Sequence, residues 1–555
     1  MFTKSLLINY AGYPESPRML VPDNGLANLA GVLISKGHKT IILDYATVDI
    51  VEKLFPYEYK DRIENVIKRI LVNLKQKLSP KQKDLDIFHK LDNEIDQLQR
   101  KKVKEIAIEI SSIVKKHNID FVGMKLWMGD GFEGSITIAK QLKKDFPTLP
   151  IFAGGPHVDW FREKILDVCN LFDVLVYGEG EEVINMLADY VLGKTNLENI
   201  PNLIYKENGK VITTPRKIID DLNKLPLPVY DKEVYLSMGD TQKLKIIFTD
   251  ESRGCPNNCS FCLHPVKSGN KWKTKSPESA VNEMERLINK YGINVFRFAG
   301  SNTPKLLAKG IAEEILKRKL KVEYTAFANS GNGVSVEDFQ LMKDSGCFSL
   351  WFGIESGNQK LLDEVMNKKM KVEQLKNKIN ACKKTGIYVT GSIIIPAPNE
   401  TEQTKQDTLN FLLETRPDSV IVDPPVLIPG TKWTINCEKY GIEILDEKEF
   451  LNQMMLYKMK IIYPPILWKA LPYFKINNKT DKELVRETGL FAQTLEKNGI
   501  LTQVTSDTAL IAKYAGMQPM EFRDKSRKYF STGNHREIKK IITRINENIT
   551  NSATN

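Results

Sequence analysis

Three cysteines fall within eight residues, Cys255, Cys259 and Cys262, inside the stretch Glu251-Ser-Arg-Gly-Cys-Pro-Asn-Asn-Cys-Ser-Phe-Cys-Leu-His264. Three thiolates on so short a loop can hold three irons of a cubic four-iron cluster and leave the fourth iron open to another ligand. Gly254 and Pro256 let the loop turn tightly. The alternative is a structural zinc site with His264 as fourth ligand, but such sites use two C-x2-C pairs, and here a C-x3-C-x2-C run carries the aromatic Phe261 before its last cysteine. Cys169, Cys347, Cys382 and Cys437 lie in apolar or helical contexts and read as packing residues. Without a disulfide framework, the chain suits a reducing compartment.

The loop follows Leu244-Lys-Ile-Ile-Phe-Thr249, which reads as a strand. Further strands are expected near Val295, Glu323, Ser349, Tyr388 and Ser419, separated by amphipathic helices, one opened by Ser276-Pro277. Six such units make a partial TIM-type barrel whose active face lies at the carboxyl ends of its strands. Upstream, strands at Ser5 to Asn9, Thr40 to Leu43, Phe121 to Lys125, Ile151 to Ala153 and Val174 to Tyr177 alternate with helices, which predicts a doubly wound parallel sheet. Gly12, Gly129, Gly131, Gly154, Gly155, Gly178 and Gly180 follow those strands, where such a sheet binds its ligand and where backbone can approach a flat molecule.

The expected fold class is thus α/β, with a helical end. Residues 1–200 form the first domain, interrupted at about 51–117 by a helical hairpin with stripes such as Val103, Ile106, Ile110 and Val114. Residues 201–240 are a hairpin and proline-marked linker, 241–435 the barrel, and 436–555 a helical domain frayed from Asn546 onward. The net charge of +11 comes from lysines spread along the chain, so an anionic partner is permitted while nucleic acid is not indicated. No run of about 18 apolar residues and no leader pattern is seen, so a cytoplasmic protein without a membrane span is expected.

The cysteine triplet with Phe261, placed after a barrel strand, resembles the radical S-adenosylmethionine (SAM) superfamily. Phe298-Ala-Gly-Ser301, Gly353-Ile-Glu-Ser-Gly357 and Val389-Thr-Gly-Ser-Ile393 fit that family's strand-end pattern, although Ala299-Gly300-Ser301 replaces its usual Gly-Gly-Glu. The first domain, with Phe152-Ala-Gly-Gly-Pro-His157 and Tyr177-Gly-Glu-Gly-Glu181, resembles the cobalamin-binding domain of one large class of these enzymes. Met124-Lys125-Leu126 stands where the wider cobalamin fold has serine-x-leucine, and no histidine lies between Asn9 and Arg18 to ligate cobalt from below. His38 and His157 read as hydrogen-bonded residues instead.

The resemblance implies a [4Fe-4S] cluster on Cys255, Cys259 and Cys262. It implies SAM contacts from Phe261, Gly300, Ser301, Glu355 and Ser392, and cobalamin contacts from Gly12, Met124, Leu126, Gly154, Gly155, Gly178 and Glu179. It implies a deoxyadenosyl radical, methylation of an unactivated carbon of a small-molecule or peptide substrate, and an electron donor such as flavodoxin or ferredoxin. Catalytic side chains are not assigned by it. Cyclisation or rearrangement with the same cofactors is the first alternative. A methylthiotransferase-like enzyme is the second, although its three further cluster cysteines have no match before Cys169, and a non-enzymatic RNA-binding iron-sulfur protein the third.

Overall fold

In a computed structural model the described residues are 2–75, 79–328, 334–457, 460, 462–464, 467–468 and 473–554. Strands β1 (Lys4–Asn9), β2 (Lys39–Asp44), β3 (Phe121–Lys125), β4 (Ile151–Gly154) and β5 (Val174–Val176) are parallel. The antiparallel β6 (Leu203–Glu207) and β7 (Lys210–Thr213) complete a sheet in the order β2-β1-β3-β4-β5-β6-β7. Its parallel part has the 2-1-3-4-5 order of a doubly wound fold, with the switch point between β1 and β3.

Alternation along each strand divides the apolar residues between the two faces. Leu7, Phe121, Phe152 and Val174 pack against Leu26, Ala30 and Leu33 of the helix Asn24–Ser35. Ile8, Val122, Met124 and Ala153 meet Phe132, Ile138 and Leu142 of the helix Asp130–Asp145. The insert forms helices Lys60–Lys75 and Gln82–His117, and the stripe at Val103, Ile106, Ile110 and Val114 lays the longer one along the helix Asp130–Asp145. The hairpin therefore thickens the first lobe.

Strands β8 (Ile247–Thr249), β11 (Val295–Phe298), β12 (Glu323–Phe327), β13 (Cys347–Glu355), β14 (Tyr388–Ile394) and β15 (Ser419–Asp423) form a six-stranded, wholly parallel sheet in sequence order. Between β8 and β11, the short β9 (Ser252–Arg253) and β10 (Lys273–Thr274) pair antiparallel. The sheet is the partial barrel expected, with helices such as Pro277–Tyr291 outside it. β8 begins later than the apolar run suggests because the preceding backbone is used elsewhere: Leu244 N–H donates to Leu20 O, and Lys245 N–H to the Asn546 side chain.

The last segment departs from expectation twice. It contains a small antiparallel sheet, β16 (Ile442–Ile444), β17 (Phe474–Ile476) and β18 (Lys479–Thr480), among its helices. Its end is also docked rather than frayed. The helix His535–Thr554 buries Ile538, Ile542, Ile545 and Ile549 at helical spacing, each contributing about 2 kcal/mol. Asn546 also donates to Lys243 O at 2.8 Å. No helix among the described residues is long and apolar enough to cross a membrane.

Candidate functional site at the barrel mouth and sheet edge

The β9/β10 ribbon is the stem of the cysteine loop, and Gly254 opens the loop with φ +83°, where a Cβ would lie 2.1 Å from Lys271 O. Only glycine fits there. Ser260 N–H donates to Met366 O at 2.8 Å, Trp433 N–H to Ser260 O at 3.1 Å, and the Phe261 ring lies 5.7 Å from that of Trp433. The loop is thus gripped by segments following β13 and β15. Cys255 is buried, while Cys259 and Cys262 are half-buried. Cys255 Sγ accepts from Asn302 Nδ2 at 3.7 Å and Cys262 Sγ from His264 N–H at 3.4 Å.

Burial pushes the Cys259 thiol up to about 11 and the Cys262 thiol up to about 12, and the other cysteines of the triplet push in the same direction. Two neighbouring thiols that resist ionisation suit a cation held between them. Among the described residues no three His, Cys, Asp or Glu side chains gather round a single-ion site. The His264 side chain, the zinc alternative's fourth ligand, is exposed.

Phe298, Tyr324, Leu350, Phe352, Val389 and Val422 face the outer helices, so Phe248, Arg297, Phe327, Trp351, Ser392 and Asp423 line the lumen. These lumen residues remain partly exposed. Deeper, the helix Ser506–Tyr514 closes the floor: Ser349 Oγ donates to Ser506 O at 3.2 Å, and Asp507 pairs with Arg297 at 2.8 Å and Arg18 at 2.9 Å. At the mouth, Glu355 has φ +63°, sits at a register shift of β13 and pairs with Lys368 at 2.9 Å. A non-glycine residue in that region is strained, and strain of this kind gathers at functional sites. Asp423 ends β15 at the mouth, where desolvation by the surrounding protein, then the Glu355 charge, push its carboxyl up to about 6.

Of the other residues expected near SAM, Ser301 is half-buried at the mouth, whereas Gly300 is buried and donates its N–H to Glu251 Oε2 at 3.0 Å. Sequence reasoning missed Glu251, a fully buried carboxylate that also accepts from Thr303 Oγ1 at 2.8 Å and Ser252 Oγ at 3.0 Å.

In the first lobe, register brings Gly154 opposite Lys125 and Val176, so Gly154, Gly155, Gly178 and the loop holding Gly12 share the carboxyl edge over β1, β3, β4 and β5. Gly12, Gly155 and Gly178 have φ of +78°, +97° and +75°. A Cβ on Gly178 would meet nothing closer than 3.9 Å, so this turn borders open space. Such an edge fits a flat cofactor. Met124 and Leu126 bury their side chains in the apolar layer, leaving backbone at the edge.

The Glu179 carboxylate is held by Lys273 Nζ at 2.6 Å and Ile219 N–H at 2.6 Å. His38 bonds to Thr3 Oγ1 at 2.8 Å, as expected. His157 does not follow the expectation: it is fully buried between the Phe132 and Phe161 rings, and among the described residues neither ring nitrogen has a partner.

Comparison with known proteins agrees with this geometry. Residues 252–412 match the radical SAM superfamily model and residues 94–188 the B12-binding domain model. An uncharacterized methyltransferase of Pyrococcus horikoshii is 31% identical over 64% of this chain and 80% of its own. This chain belongs to the radical SAM superfamily, in its B12-binding class. A cytidylyl-2-hydroxyethylphosphonate methyltransferase of Streptomyces wedmorensis is 24% identical, over 65% of this chain and 74% of its own. The structure of the radical SAM methyltransferase TsrM of Kitasatospora setae, with cobalamin and [4Fe-4S] cluster bound, shares the fold: its TM-score is 0.63 at 15% identity, covering 97% of this chain and 100% of that one. The protein is accordingly a cobalamin-dependent radical SAM enzyme whose cofactors are a [4Fe-4S] cluster, SAM and cobalamin.

Sequence reasoning also missed the polar floor of this radical SAM enzyme's sheet edge. Asp44, at the end of β2, binds Lys243 Nζ at 2.5 Å, Tyr235 OH at 2.5 Å and Asn9 Nδ2 at 2.9 Å, all of them buried. Lys125 pairs with Asp23 and lies 4.6 Å from the centre of the Trp127 ring. The single local signal was a charged residue closing each of the strands β2 and β3.

Proposed function

We propose that the enzyme methylates an unactivated carbon of a small-molecule or peptide substrate. The observation that carries this reading is adjacency: the turn after β5 is bonded to the stem of the cysteine loop through Glu179 and Lys273, which sets the sheet edge beside that loop. The methyltransferase names of the relatives support the same reading. When bound, the reduced cluster and SAM supply a deoxyadenosyl radical, and cobalamin supplies the methyl group.

In this reading Cys255, Cys259 and Cys262 hold the cluster. Phe261, the Gly300–Ser301 turn, Glu355 and Ser392 surround SAM, and the edge from Gly12 through Met124, Leu126, Gly154, Gly155, Gly178 and Glu179 receives cobalamin. The lumen keeps the substrate out of bulk water. A small carrier such as flavodoxin or ferredoxin donates the electron. A methylthiotransferase would need further cluster cysteines in the first lobe, where Cys169 is packed in the apolar core.

The test is anaerobic turnover of the reconstituted enzyme with SAM, methylcobalamin and a panel of candidate substrates. S-adenosylhomocysteine together with deoxyadenosine and a methylated product is expected. Deoxyadenosine and a rearranged product without S-adenosylhomocysteine would replace methylation by cyclisation or rearrangement.

A further inference from the structure

The stem of the cysteine loop is fastened to the first lobe by buried charges. Arg253, two residues before Cys255, faces Lys273 across the β9/β10 ribbon. Its Nη2 lies 2.5 Å from Glu181 Oε1 and 3.0 Å from Asp250 Oδ2, and its Nη1 lies 3.7 Å from Glu179 Oε1. Lys273 Nζ reaches both Glu179 oxygens, at 2.6 and 2.8 Å. Asp250 accepts from Asn28, on the helix Asn24–Ser35, at 2.7 Å. The side chains of Arg253, Glu179, Glu181 and Lys273 are at most 15% exposed.

An exposed ion pair would be a weak and adjustable link. Charges removed from water are tolerated only where their partners stand in place, so a buried set defines one geometry. Both ends are also stiff. Glu179 is fixed by Ile219 N–H at 2.6 Å and Glu181 is the first residue of the helix Glu181–Val191, while Arg253 adjoins Gly254, where Lys271 O leaves no room for a side chain. A shift of one turn must therefore be transmitted to the other.

We propose that Glu179, Glu181, Arg253 and Lys273 form a positioning clamp that registers a cofactor seated on the first-lobe edge to the stem of the cysteine loop, and so sets the separation of the two reactive centres. This rests on the reading that the edge holds cobalamin and the cysteines hold the cluster. Glu181, Arg253 and Lys273 need touch neither group.

The experiment is hydrogen exchange on the anaerobically reconstituted full chain, with and without hydroxocobalamin. In the wild type, cobalamin should slow exchange at residues 177–181 and also at 252–275. In Glu181→Gln/Lys273→Met, which leaves the Glu179 side chain unchanged, protection should persist at 177–181 and be lost at 252–275. Arg253→Lys, which keeps the charge without the fork, should retain part of it. Iron, sulfide and cobalamin contents, measured separately, report whether the cofactor readings hold before the clamp is scored. Wild-type protection confined to 177–181, or undiminished protection at 252–275 in the double variant, overturns the clamp. Should the double variant fail to fold, Lys273→Met, which removes one partner of Glu179, is read by the same criterion.

Discussion

Gly300→Ala isolates the contact that seats the start of the cysteine loop. The added Cβ would lie 2.2 Å from Glu251 Oε1 and 2.2 Å from Ser252 Oγ, more than an ångström short of ordinary contact. Gly300 has no positive φ, so alanine itself suits the backbone and the cost comes from the contact alone. The Glu251 carboxylate is fully buried and tolerated because Gly300 N–H, Thr303 and Ser252 donate to it. Displacing it leaves a buried acid without its donors, at a cost of up to about 3 kcal/mol. At about 1.4 kcal/mol per factor of ten, exchange in the segment 249–255 should quicken by up to roughly a hundredfold, and the loop should lose iron. The assay is hydrogen exchange of the apoprotein together with iron and sulfide analysis after anaerobic reconstitution. The double variant Glu251→Ala/Gly300→Ala should be less damaged than the two single effects combined, because the alanine then has room. Exchange within threefold of wild type in Gly300→Ala, or strict additivity in the double variant, would refute the reasoning.

Replacing Cys255, Cys259 and Cys262 together by alanine should remove iron and sulfide while cobalamin is retained, and iron retained by the triple variant would exclude these ligands. The cobalt(II) form loaded with cobinamide, which lacks the nucleotide base, should show no nitrogen hyperfine splitting from a histidine, because His38 is committed to Thr3 and His157 is enclosed by phenylalanines. With its carboxyl near 6, Asp423 is neutral at pH 5 and anionic at pH 7, so affinity for the cationic SAM should rise across that interval. Calorimetric titration of Asp423→Asn should lack the rise, and an unaltered rise removes Asp423 from the mouth's electrostatics. Gly154→Val probes the sheet edge with less backbone strain than a change at Gly155, whose φ of +97° would add about 1–3 kcal/mol of its own, although a Cβ on Gly154 would lie 3.3 Å from Val176 O. Cobalamin content should fall at least tenfold with iron intact, and full retention would make these glycines ordinary turn residues.

The cysteine triplet and the strand-end residues were legible because each is carried by a few consecutive positions. Periodicity likewise showed the alternating strands and the insert's stripe at Val103, Ile106, Ile110 and Val114. What stayed hidden depends on pairs far apart in the chain. Tyr235 and Asp44 are 191 residues apart, and nothing beside Lys243 marks it as a lysine to be buried. β16 to β18 are two or three residues long, too short for alternation to register. Asn546 read as the start of a frayed tail because its neighbours are polar, yet its amide caps the approach to β8 while every third or fourth residue supplies an isoleucine to the core.

These long-range pairs also explain how an open barrel becomes a usable vessel. A six-stranded parallel sheet leaves two edges, at β8 and β15, and an unpaired edge exposes backbone groups that need partners. Beside β15, Val420 N–H donates to Leu501 O at 2.8 Å and Gln503 N–H to Val420 O at 2.9 Å, so the C-terminal segment supplies a further strip of backbone. Before β8, Leu20 and Asn546 take the backbone of Leu244 and Lys245. The helix Ser506–Tyr514 then stoppers the floor, with Asp507 holding Arg297 of the barrel and Arg18 of the first lobe on one carboxylate. Among the described residues, Asp423, Glu355 and the cysteine loop gather at the opposite, carboxyl end of the barrel. The described part of the C-terminal segment therefore shapes the barrel, supplying its floor and the backbone that pairs beside β15.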